Sequence, residues 1–259
     1  QIDYKRQKII LHVPNSFKKP GKKYMQIPLD IYQGKPFITL NSTLQNNKNF
    51  PAKLLIDTGA SLALLLYTKS HPSIEIPETV IESNIAMGLG GYVKGYLGRI
   101  NNLELGDTDI NNIITNFQER TEIQDSIIQS TYNRQGILGN RILDRFDVYI
   151  DYFREVAYIK PTRKFKKKFK YDRSGLLLIA GGENLTEYTA YQVVANSPAG
   201  EAGLKVGDEI LKINGIPAFF FSLDGITKKL QKKPGKTIKL TVLRNGHKLK
   251  FEFKLRDLI

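Results

Sequence analysis

A single carboxylate separates two apolar runs in the segment KLLIDTGASLALLL, which covers residues 53–66. The run before Asp57 and the run after Ser61 both favour buried β-strands, and only a tight turn can join them over so few residues. Burial of an ionised carboxylate costs several kcal/mol unless the group is paired or hydrogen-bonded. Asp57 is therefore either an acid that caps the turn or an acid that is kept for chemistry.

The composition excludes several classes of protein. Of the 259 residues, 41% are hydrophobic, so the chain can bury a core without disulfides or a structural metal. Cysteine is absent, which excludes disulfides, thiolate metal sites and a cysteine nucleophile. The three histidines, His12, His71 and His247, show no spacing typical of a serine triad or a metal site. We therefore expect no metal and no cofactor, and no apolar run is long enough to span a membrane.

The formal net charge is +14, which raises the question of a nucleic-acid partner. Much of the excess lies in the segment RKFKKKFK, residues 163–170, and in lysines of the C-terminal third. No RNP-like motif, helix-turn-helix pattern or zinc finger accompanies these charges. A solvated basic linker is the simpler interpretation, and we expect no nucleic-acid partner.

Short runs rich in β-branched and aromatic residues, separated by Gly, Asn and Asp, predict a mainly β fold. The clearest strand segments are PFITLNSTL, AKLLID, GYLGRINNLEL and FDVYIDYFREVAYIK. Helical patterns are few and short, and they lie near residues 140–146, 198–204 and 222–231. The basic segment separates two parts of different character, so we expect one domain on each side of it.

The start of the chain resembles a segment that lies about one domain further along. The sequence IDYKRQKII at residues 2–10 is echoed by IDYFREVAY at residues 150–158, which places Asp3 and Asp151 148 residues apart. A match this short can arise by chance, and an internal repeat is the alternative. In the second interpretation, the chain opens on the last strands of a preceding, related lobe.

Three segments, in this order, resemble the retropepsin-like aspartyl proteases over about residues 21–162. They are LLIDTGAS, the glycine-rich GLGGYVKGYLG at residues 88–98 and GILGNRILDRFDVYIDY at residues 136–152. The resemblance implies a retropepsin-like β-barrel lobe with a catalytic turn, a β-hairpin flap, and a strand, helix and closing strand. It also implies an aspartic-type endopeptidase that hydrolyses peptide or protein substrates.

The same resemblance implies roles for the residues of the turn. Asp57, Thr58 and Gly59 form the expected catalytic group, with Asp57 as the acid. Thr58 would tie the turn to a partner lobe through its hydroxyl group, and Gly59 would permit close approach of the backbone. Ser61 is expected to hydrogen-bond back toward the carboxylate and to hold its orientation.

The glycine-rich segment is expected to be a hairpin that closes on the substrate. Gly90, Gly91 and Tyr92 near its tip, together with Ser61 in the turn, are the expected substrate contacts. The spacing of the glycines does not fit a dinucleotide or phosphate loop. The alternative is a plain hairpin with ordinary turn glycines.

Hydrolysis by this mechanism needs two carboxyl groups, one that takes a proton from water and one that polarises the peptide carbonyl. The chain contains one DTG motif, since GDTD at residues 106–109 has Asp109 where glycine is required. A second catalytic lobe must therefore supply the other acid, either from the same full-length chain or from a second copy in a homodimer. The repeat that begins at residue 2 favours the same chain.

The C-terminal third resembles PDZ domains, which are β-sandwich-like domains with two short helices. The motif NSPAGEAGLKVGDEILKING at residues 196–215 carries the resemblance. It implies a peptide ligand with a free C-terminus, whose carboxylate would bind the backbone amides of Gly175, Leu176 and Leu177. From Leu178 onward, the strand would pair with the peptide. The alternative is a domain that only packs against the protease lobe.

The expected organisation is a tail of a preceding lobe at residues 1–20, a protease lobe at 21–162, a basic linker at 163–171 and a PDZ domain at 172–259. This combination resembles exported bacterial proteins, which implies a periplasmic or otherwise exported location. The competing interpretation is a non-catalytic, peptide-binding scaffold derived from a protease.

Overall fold

The computed structural model describes residues 1–88, 91–119 and 133–259. It divides into two compact units. The first unit comprises residues 1–80 and 84–169, and the second comprises residues 81–83 and 170–259. Strands account for 47% of the residues, which confirms the predicted mainly β fold.

Thirteen strands are described in the chain up to residue 161. They are β1 (Ile2–Asp3), β2 (Lys8–Ile9), β3 (Met25–Pro28), β4 (Asp30–Tyr32), β5 (Lys35–Thr43), β6 (Asn49–Asp57), β7 (Leu64–Tyr67), β8 (Ile81–Gly88), β9 (Gly91–Leu105), β10 (Thr108–Gln118), β11 (Gly136–Gly139), β12 (Phe146–Asp151) and β13 (Val156–Pro161). A 3-10 turn spans Pro14–Ser16, and helix α1 spans Asn140–Leu143, within the region predicted to be helical.

These strands form two sheets. The smaller sheet has the order β2-β1-β12-β13-β3, and every neighbouring pair in it is antiparallel. The larger sheet has the order β4-β5-β6-β11-β7-β10-β9-β8. Because β5 pairs with β9 as well as with β6, the larger sheet curls back on itself, as expected of a barrel lobe.

The strands of the larger sheet follow the alternation of apolar residues. In β6, Phe50, Ala52, Leu54 and Ile56 are buried at every second position, and the residues between them are more exposed. The largest fully buried side chains of this lobe are Phe37, Leu54, Leu64, Leu66, Ile100, Leu103, Ile113, Phe117, Leu138, Phe146 and Tyr158. Burial of this alternating set holds β6 in one register, since a slip by one residue would expose it.

The short strand β11 lies at the centre of the larger sheet, parallel to β6 and antiparallel to β7. A Cβ atom on Gly136 would lie 1.9 Å from the carbonyl oxygen of Leu65, and a Cβ atom on Gly139 would lie 2.3 Å from that of Leu62. Both distances are far inside van der Waals contact. Only glycine therefore lets β11 approach the neighbouring backbone this closely.

Arg145 of the first unit anchors the basic segment at residues 163–170. Arg145 donates a hydrogen bond to the carbonyl oxygen of Phe165 at 3.2 Å, and its guanidinium carbon lies 3.6 Å from the centroid of the Phe169 ring. Phe169 is buried, whereas the lysines beside it are exposed. The segment is thus held to the first unit as far as residue 169, and the linker boundaries at 163–171 stay a prediction.

The second unit forms one sheet and two helices, with a 3-10 turn at Ala218–Phe220. Its strands are β14 (Leu176–Gly181), β15 (Glu187–Val193), β16 (Glu209–Ile213), β17 (Ile216–Pro217), β18 (Thr237–Arg244) and β19 (His247–Lys254). The strand order is β14-β15-β16-β18-β19, and β17 pairs with β16. The helices are α2 (Pro198–Glu201) and α3 (Leu223–Leu230), both inside the predicted helical regions. In the described ranges, no helix is long and apolar enough to cross a membrane.

Both helices of the second unit begin with a serine cap. The Ser197 hydroxyl oxygen accepts a hydrogen bond from the Gly200 amide at 3.2 Å, and Pro198 follows in the first turn. The Ser222 hydroxyl oxygen accepts a hydrogen bond from the Gly225 amide at 3.1 Å. The core under the helices contains Leu176, Tyr188, Ala190, Ala199, Ile210, Ile213, Ile226, Leu230, Ile238, Leu240 and Val242.

Gly136→Ala should destabilise the first unit by about 2 kcal/mol, because the added methyl group must push the β7 backbone away. Gly21→Ala is the matched control, since a Cβ atom there meets nothing within 4 Å. Its effect should stay within about 0.5 kcal/mol. Urea denaturation followed by circular dichroism measures the difference. Equal midpoints for the two variants would contradict the close packing of β11.

Candidate active site

Asp57 is the last residue of β6, at the point where the buried strand reaches the surface. Leu54 and Ile56 before it are buried, Asp57 is partly exposed, and Thr58 after it is exposed. The pairing of β6 with β11 places Gly139 directly opposite Asp57. The Asp57 carboxylate therefore emerges from the core at the end of β6, where the neighbouring strand β11 holds β6 in place.

The turn after β6 is built around the Asp57 carboxylate. Its Oδ1 atom accepts hydrogen bonds from the backbone amides of Gly59 at 2.9 Å and Ala60 at 3.1 Å. A Cβ atom on Gly59 would lie 3.3 Å from the same oxygen, so a larger residue there would crowd the carboxylate. Two amide donors to one oxygen fix the orientation of the carboxylate.

The prediction for Ser61 needs a correction. Within the described ranges, the Ser61 hydroxyl makes no hydrogen bond to Asp57, and the backbone amides hold the carboxylate instead. The Thr58 side chain likewise has no partner in the described part of the chain, and it is exposed. A tie from Thr58 to a partner lobe and a substrate contact by Ser61 stay predictions.

The flap region is described only in part. Strands β8 and β9 are neighbours in the sheet, with β8 ending at Gly88 and β9 beginning at Gly91. Gly90 and the Tyr92 side chain lie outside the described residues. Two neighbouring strands thus lie where the hairpin was expected. The substrate contacts of Gly90, Gly91 and Tyr92 stay predictions.

Asn140, which the motif analysis did not single out, joins the turn to the N-terminal segment. Its backbone amide donates to the carbonyl oxygen of Ala60 at 2.8 Å, and its side-chain oxygen accepts a hydrogen bond from the Tyr4 hydroxyl at 2.6 Å. Burial raises the pKa of Tyr4 to about 12, and the Asp144 carboxylate adds to the shift. The Tyr4 hydroxyl group therefore stays protonated and can donate this hydrogen bond. The IDY repeat, which contains Tyr4, was the sequence signal that could have pointed to this residue.

The second unit holds a carboxylate in the loop that was predicted to bind one. Oδ1 of Asp172 accepts hydrogen bonds from the amides of Ser174 at 2.9 Å, Gly175 at 2.7 Å and Leu176 at 3.3 Å, and from the Ser174 hydroxyl at 2.7 Å. The amides of Gly175 and Leu176 are therefore engaged within the chain, contrary to the expectation that they are available to a ligand. No local pattern in the sequence distinguishes such an internal acceptor from a loop acid in solvent.

Asp172 is also electrostatically unusual. Its Oδ2 atom is buried and has no hydrogen-bond partner among the described residues. Burial raises the pKa of Asp172 to about 6, although the hydrogen bonds from Ser174, Gly175 and Leu176 oppose the shift. The loop thus contains an acid whose charge changes in a mildly acidic solution.

Strand β14 retains the features of a peptide-binding edge. It is the first strand of its sheet, and β15 is its one pairing neighbour in the described structure. Leu176 and Leu178 point into the core, whereas Leu177 and Ile179 are each 39% exposed. A peptide could therefore pair with the outer edge of β14 from Leu178 onward and leave the core undisturbed.

Two family models match the chain. The model described as aspartyl protease matches residues 42–142, and the PDZ domain model matches residues 171–255. The two matched segments are thus similar to an aspartyl protease domain and to a PDZ domain, in the order that the motifs predicted. These matches support a peptidase-like, peptide-binding protein.

A curated relative is the "Probable CtpA-like serine protease" of Staphylococcus saprophyticus subsp. saprophyticus, which is 32% identical over 103 residues. The match covers 39% of this chain and 19% of the relative, so the chain spans about a fifth of that protein's length. The name of the relative describes a serine protease. It therefore does not establish an aspartic mechanism for this chain.

Solved structures with similar folds include both kinds of domain. A retropepsin-like aspartic protease from Rickettsia conorii is 17% identical with a TM-score of 0.36, over 53% of this chain and 90% of that chain. The PDZ domain of HtrA3, bound to a phage-derived ligand, is 22% identical with a TM-score of 0.27, over 35% of this chain and 86% of that chain.

The raised pKa of Asp172 predicts a pH-dependent stability of the second unit. The folded state holds a proton on this group up to about pH 6, whereas the unfolded chain loses it near its ordinary value. The contribution to stability should therefore fall by about 2–3 kcal/mol as the pH rises through this window. Asp172→Asn cannot ionise, and it should lack this loss.

Thermal unfolding of the wild type and of Asp172→Asn between about pH 4 and pH 7 measures the difference. The wild type should lose stability relative to the variant as the pH rises. A stability difference that stays constant over this range would show that Asp172 titrates like an exposed aspartate.

Proposed function

We propose that this chain is the Asp57-bearing part of an aspartic-type endopeptidase, with a PDZ domain that binds peptide C-termini. The observation that carries the proposal is the geometry at the end of β6. A carboxylate leaves a buried strand inside an aspartyl protease domain, and two backbone amides hold one of its oxygens. Gly139 of β11 lies opposite Asp57, at a position where a Cβ atom would collide with the Leu62 carbonyl oxygen, so β11 packs tightly beside this strand end.

In the proposed reaction, Asp57 and a second carboxyl group share one proton. The ionised group accepts a proton from a water molecule, which attacks the peptide carbonyl, while the protonated group donates to the carbonyl oxygen. Two carboxyl groups this close cannot both be ionised, so the pair loses its protons in two separate steps. The amides of Gly59 and Ala60 orient Asp57 for this exchange.

The second acid belongs to a second catalytic lobe. Asp107 and Asp109, in the other DT-containing segment, lie where β9 turns into β10, and Asp109 faces Glu104 in that hairpin. Neither residue ends a buried central strand as Asp57 does. The partner lobe belongs to the same full-length chain or to a second copy, and the exposed Thr58 hydroxyl is the group that would meet it.

The substrate would lie across the turn and under the β8–β9 hairpin. Ser61 would contact it from the turn, and Gly90, Gly91 and Tyr92 would contact it from the hairpin. Closure of such a hairpin excludes water from the reacting bond and positions the peptide for attack. Peptide or protein substrates suit this arrangement because an extended chain pairs readily with exposed strand edges.

The PDZ domain would capture a peptide with a free C-terminus at the edge of β14. The terminal carboxylate would compete with Asp172 for the amides of Gly175 and Leu176, and the Leu177 amide would complete the site. Two carboxylates at one set of donors repel each other, so binding is expected to require movement or protonation of Asp172. This internal acid distinguishes the site from a preformed anion-binding loop.

The second candidate is a non-catalytic, peptide-binding scaffold. The observation that favours it is the presence of one DTG motif in this chain. We place the protein in a periplasmic or otherwise exported location on the resemblance alone. The two candidates differ in one property, the hydrolysis of a peptide bond by the full-length protein.

Asp57→Asn should preserve the fold and reduce peptide hydrolysis by the full-length protein by about 10³-fold or more, because the amide cannot accept or share the proton. Asp109→Asn is the matched control, and it should hydrolyse peptides at the wild-type rate. A peptide library read by mass spectrometry measures the rates, and circular dichroism checks the fold. Wild-type cleavage by Asp57→Asn would remove Asp57 from the mechanism.

At pH 7, the protein should bind a peptide with a free C-terminal carboxylate and an apolar last residue about ten-fold more tightly than the amidated peptide. Asp172→Asn should strengthen binding of the free-acid peptide about five-fold, since it removes the competing charge. Isothermal titration calorimetry with the matched peptides measures both effects. If the wild type and Asp172→Asn each bound the free-acid and the amidated peptide with equal affinity, the loop would not be a binding site for a terminal carboxylate.

A further inference from the structure

The loop before β14 is closed by its own acid. Oδ1 of Asp172 accepts hydrogen bonds from three consecutive backbone amides, those of residues 174–176, and from the Ser174 hydroxyl group. A peptide that pairs antiparallel with β14 would end beside Leu176, where that strand begins. Asp172 therefore occupies the donors that the terminal carboxylate of the proposed ligand would need.

The carbonyl groups of this loop are engaged as well. The Ser174 carbonyl oxygen accepts a hydrogen bond from the Ala199 amide of α2 at 2.9 Å, and the Gly175 carbonyl oxygen accepts one from the Val194 amide at 2.9 Å. Gly175 has a φ of +74°, and a Cβ atom there would lie 2.2 Å from the Ser197 side chain. The loop therefore cannot turn its amides away from the acid without losing these contacts.

The residues on either side of Asp172 are anchored too. Tyr171 is buried, and its hydroxyl oxygen accepts a hydrogen bond from the Leu258 amide at 2.7 Å. The Arg173 amide donates to the carbonyl oxygen of Leu230, at the end of α3, at 3.1 Å. The main chain at Asp172 is therefore held on both sides, so only its side chain can leave the amides.

The charged groups on the elements around the loop pair with groups other than Asp172. These pairs are Arg173 with Asp257, Arg256 with Glu201 of α2, Lys228 with Asp224 of α3, and Lys229 of α3 with the Phe221 ring. Asp172 itself has no cationic partner in the described ranges. Burial, opposed by the donors of its own loop, therefore sets the pKa of this acid.

The two oxygens of Asp172 have unequal surroundings, which determines where a proton would bind. Oδ1 already accepts from four donors, whereas Oδ2 is buried without a hydrogen-bond partner among the described residues. A proton on Oδ2 would remove a buried charge that no cation compensates. Oδ1 would then accept as a neutral carbonyl oxygen, and its hydrogen bonds would be roughly half as strong as those of a carboxylate.

We propose that this loop is an acid-gated carboxylate site, in which protonation of Asp172 releases its amides to the terminal carboxylate of a peptide. The inference rests on the PDZ part of the proposed function and specifies when that site is open. One proton passes from the solvent to Oδ2 of Asp172. The ionised terminus of the peptide then takes over the charge-assisted hydrogen bonds of the amides.

The pH range of the open state follows from two acids with different pKa values. The terminal carboxyl group of a peptide ordinarily has a pKa of about 3.3–3.7, whereas burial raises the pKa of Asp172 to about 6. Between these values the ligand is charged and Asp172 is neutral, so the two do not repel each other. Above this range both are ionised, and they compete for one set of amides. Peptide binding should therefore weaken as the pH rises through about 6.

The same acidification suits the proposed hydrolysis. A pair of carboxyl groups at Asp57 works with one proton shared between them, a state that mildly acidic solution favours. Capture at β14 and cleavage at Asp57 would then increase together as the pH falls from neutral. The acid gate does not require Asp57, so a binding measurement without hydrolysis can test it.

Isothermal titration calorimetry of this 259-residue chain, with a free-acid peptide that ends in an apolar residue, tests the acid gate. From about pH 5 to about pH 7, the wild-type Kd should rise about five-fold. Asp172→Asn mimics the neutral acid and should keep the tighter affinity throughout. Glu183→Gln removes an exposed acid of the same unit and should weaken as the wild type does.

The wild type should also take up a fraction of a proton when it binds the peptide at about pH 7, and Asp172→Asn should take up none. The heats of binding in two buffers of different ionisation enthalpy measure this uptake, and circular dichroism checks the fold of the variants. If Asp172→Asn does not fold, the uptake by the wild type decides, and its absence would overturn the acid gate.

Two outcomes separate the acid gate from the site itself. A wild-type affinity that stays constant with pH, while the free-acid peptide still binds more tightly than the amidated peptide, would overturn the acid gate and leave the carboxylate site. If neither the wild type nor Asp172→Asn preferred the free-acid peptide at any pH in this range, the carboxylate site of the proposed function would fail, and the acid gate with it.

Discussion

The close approach of β11 to the backbone of β7 is the constraint on which the site depends. Two glycines, Gly136 and Gly139, let β11 lie between β6 and β7, and β11 in turn fixes the end of β6 where Asp57 emerges. Helix α1 starts directly after Gly139 and hydrogen-bonds to Ala60 through the Asn140 amide. The turn is therefore held from the strand side and from the helix side, and the carboxylate has a defined orientation before any substrate arrives.

Four aspartates within the described ranges form the same kind of turn, with different consequences. Asp3, Asp151, Asp57 and Asp172 each accept backbone amides two to four residues further on, which closes a turn around the carboxylate. At Asp3 and Asp151, an arginine neutralises the acid, and the turn is structural. The Asp57 carboxylate is partly exposed at the end of a strand. The Asp172 carboxylate is buried, and no cationic side chain is paired with it in the described ranges. The surroundings, not the turn itself, decide whether such an acid is available for chemistry.

The sequence predicted what short-range patterns control. The strand that ends at Asp57, the cap at Ser197 and the mainly β fold all follow from residues close together in the chain. The sequence did not predict that Asp172 accepts hydrogen bonds from the amides of its own loop. An aspartate near a glycine is equally typical of a turn residue exposed to solvent. Asn140 was missed because its contact with Tyr4 joins residues far apart in the chain.

The central claim is that Asp57 forms one half of a carboxyl pair completed by a second lobe. The distance between its carboxylate and the nearest carboxyl group, in a crystal structure of the full-length polypeptide, tests the claim most directly. The account predicts an aspartate of the preceding lobe within hydrogen-bonding distance, about 3 Å. A structure of the complete protein in which no other carboxyl group comes within about 6 Å of Asp57 would contradict it.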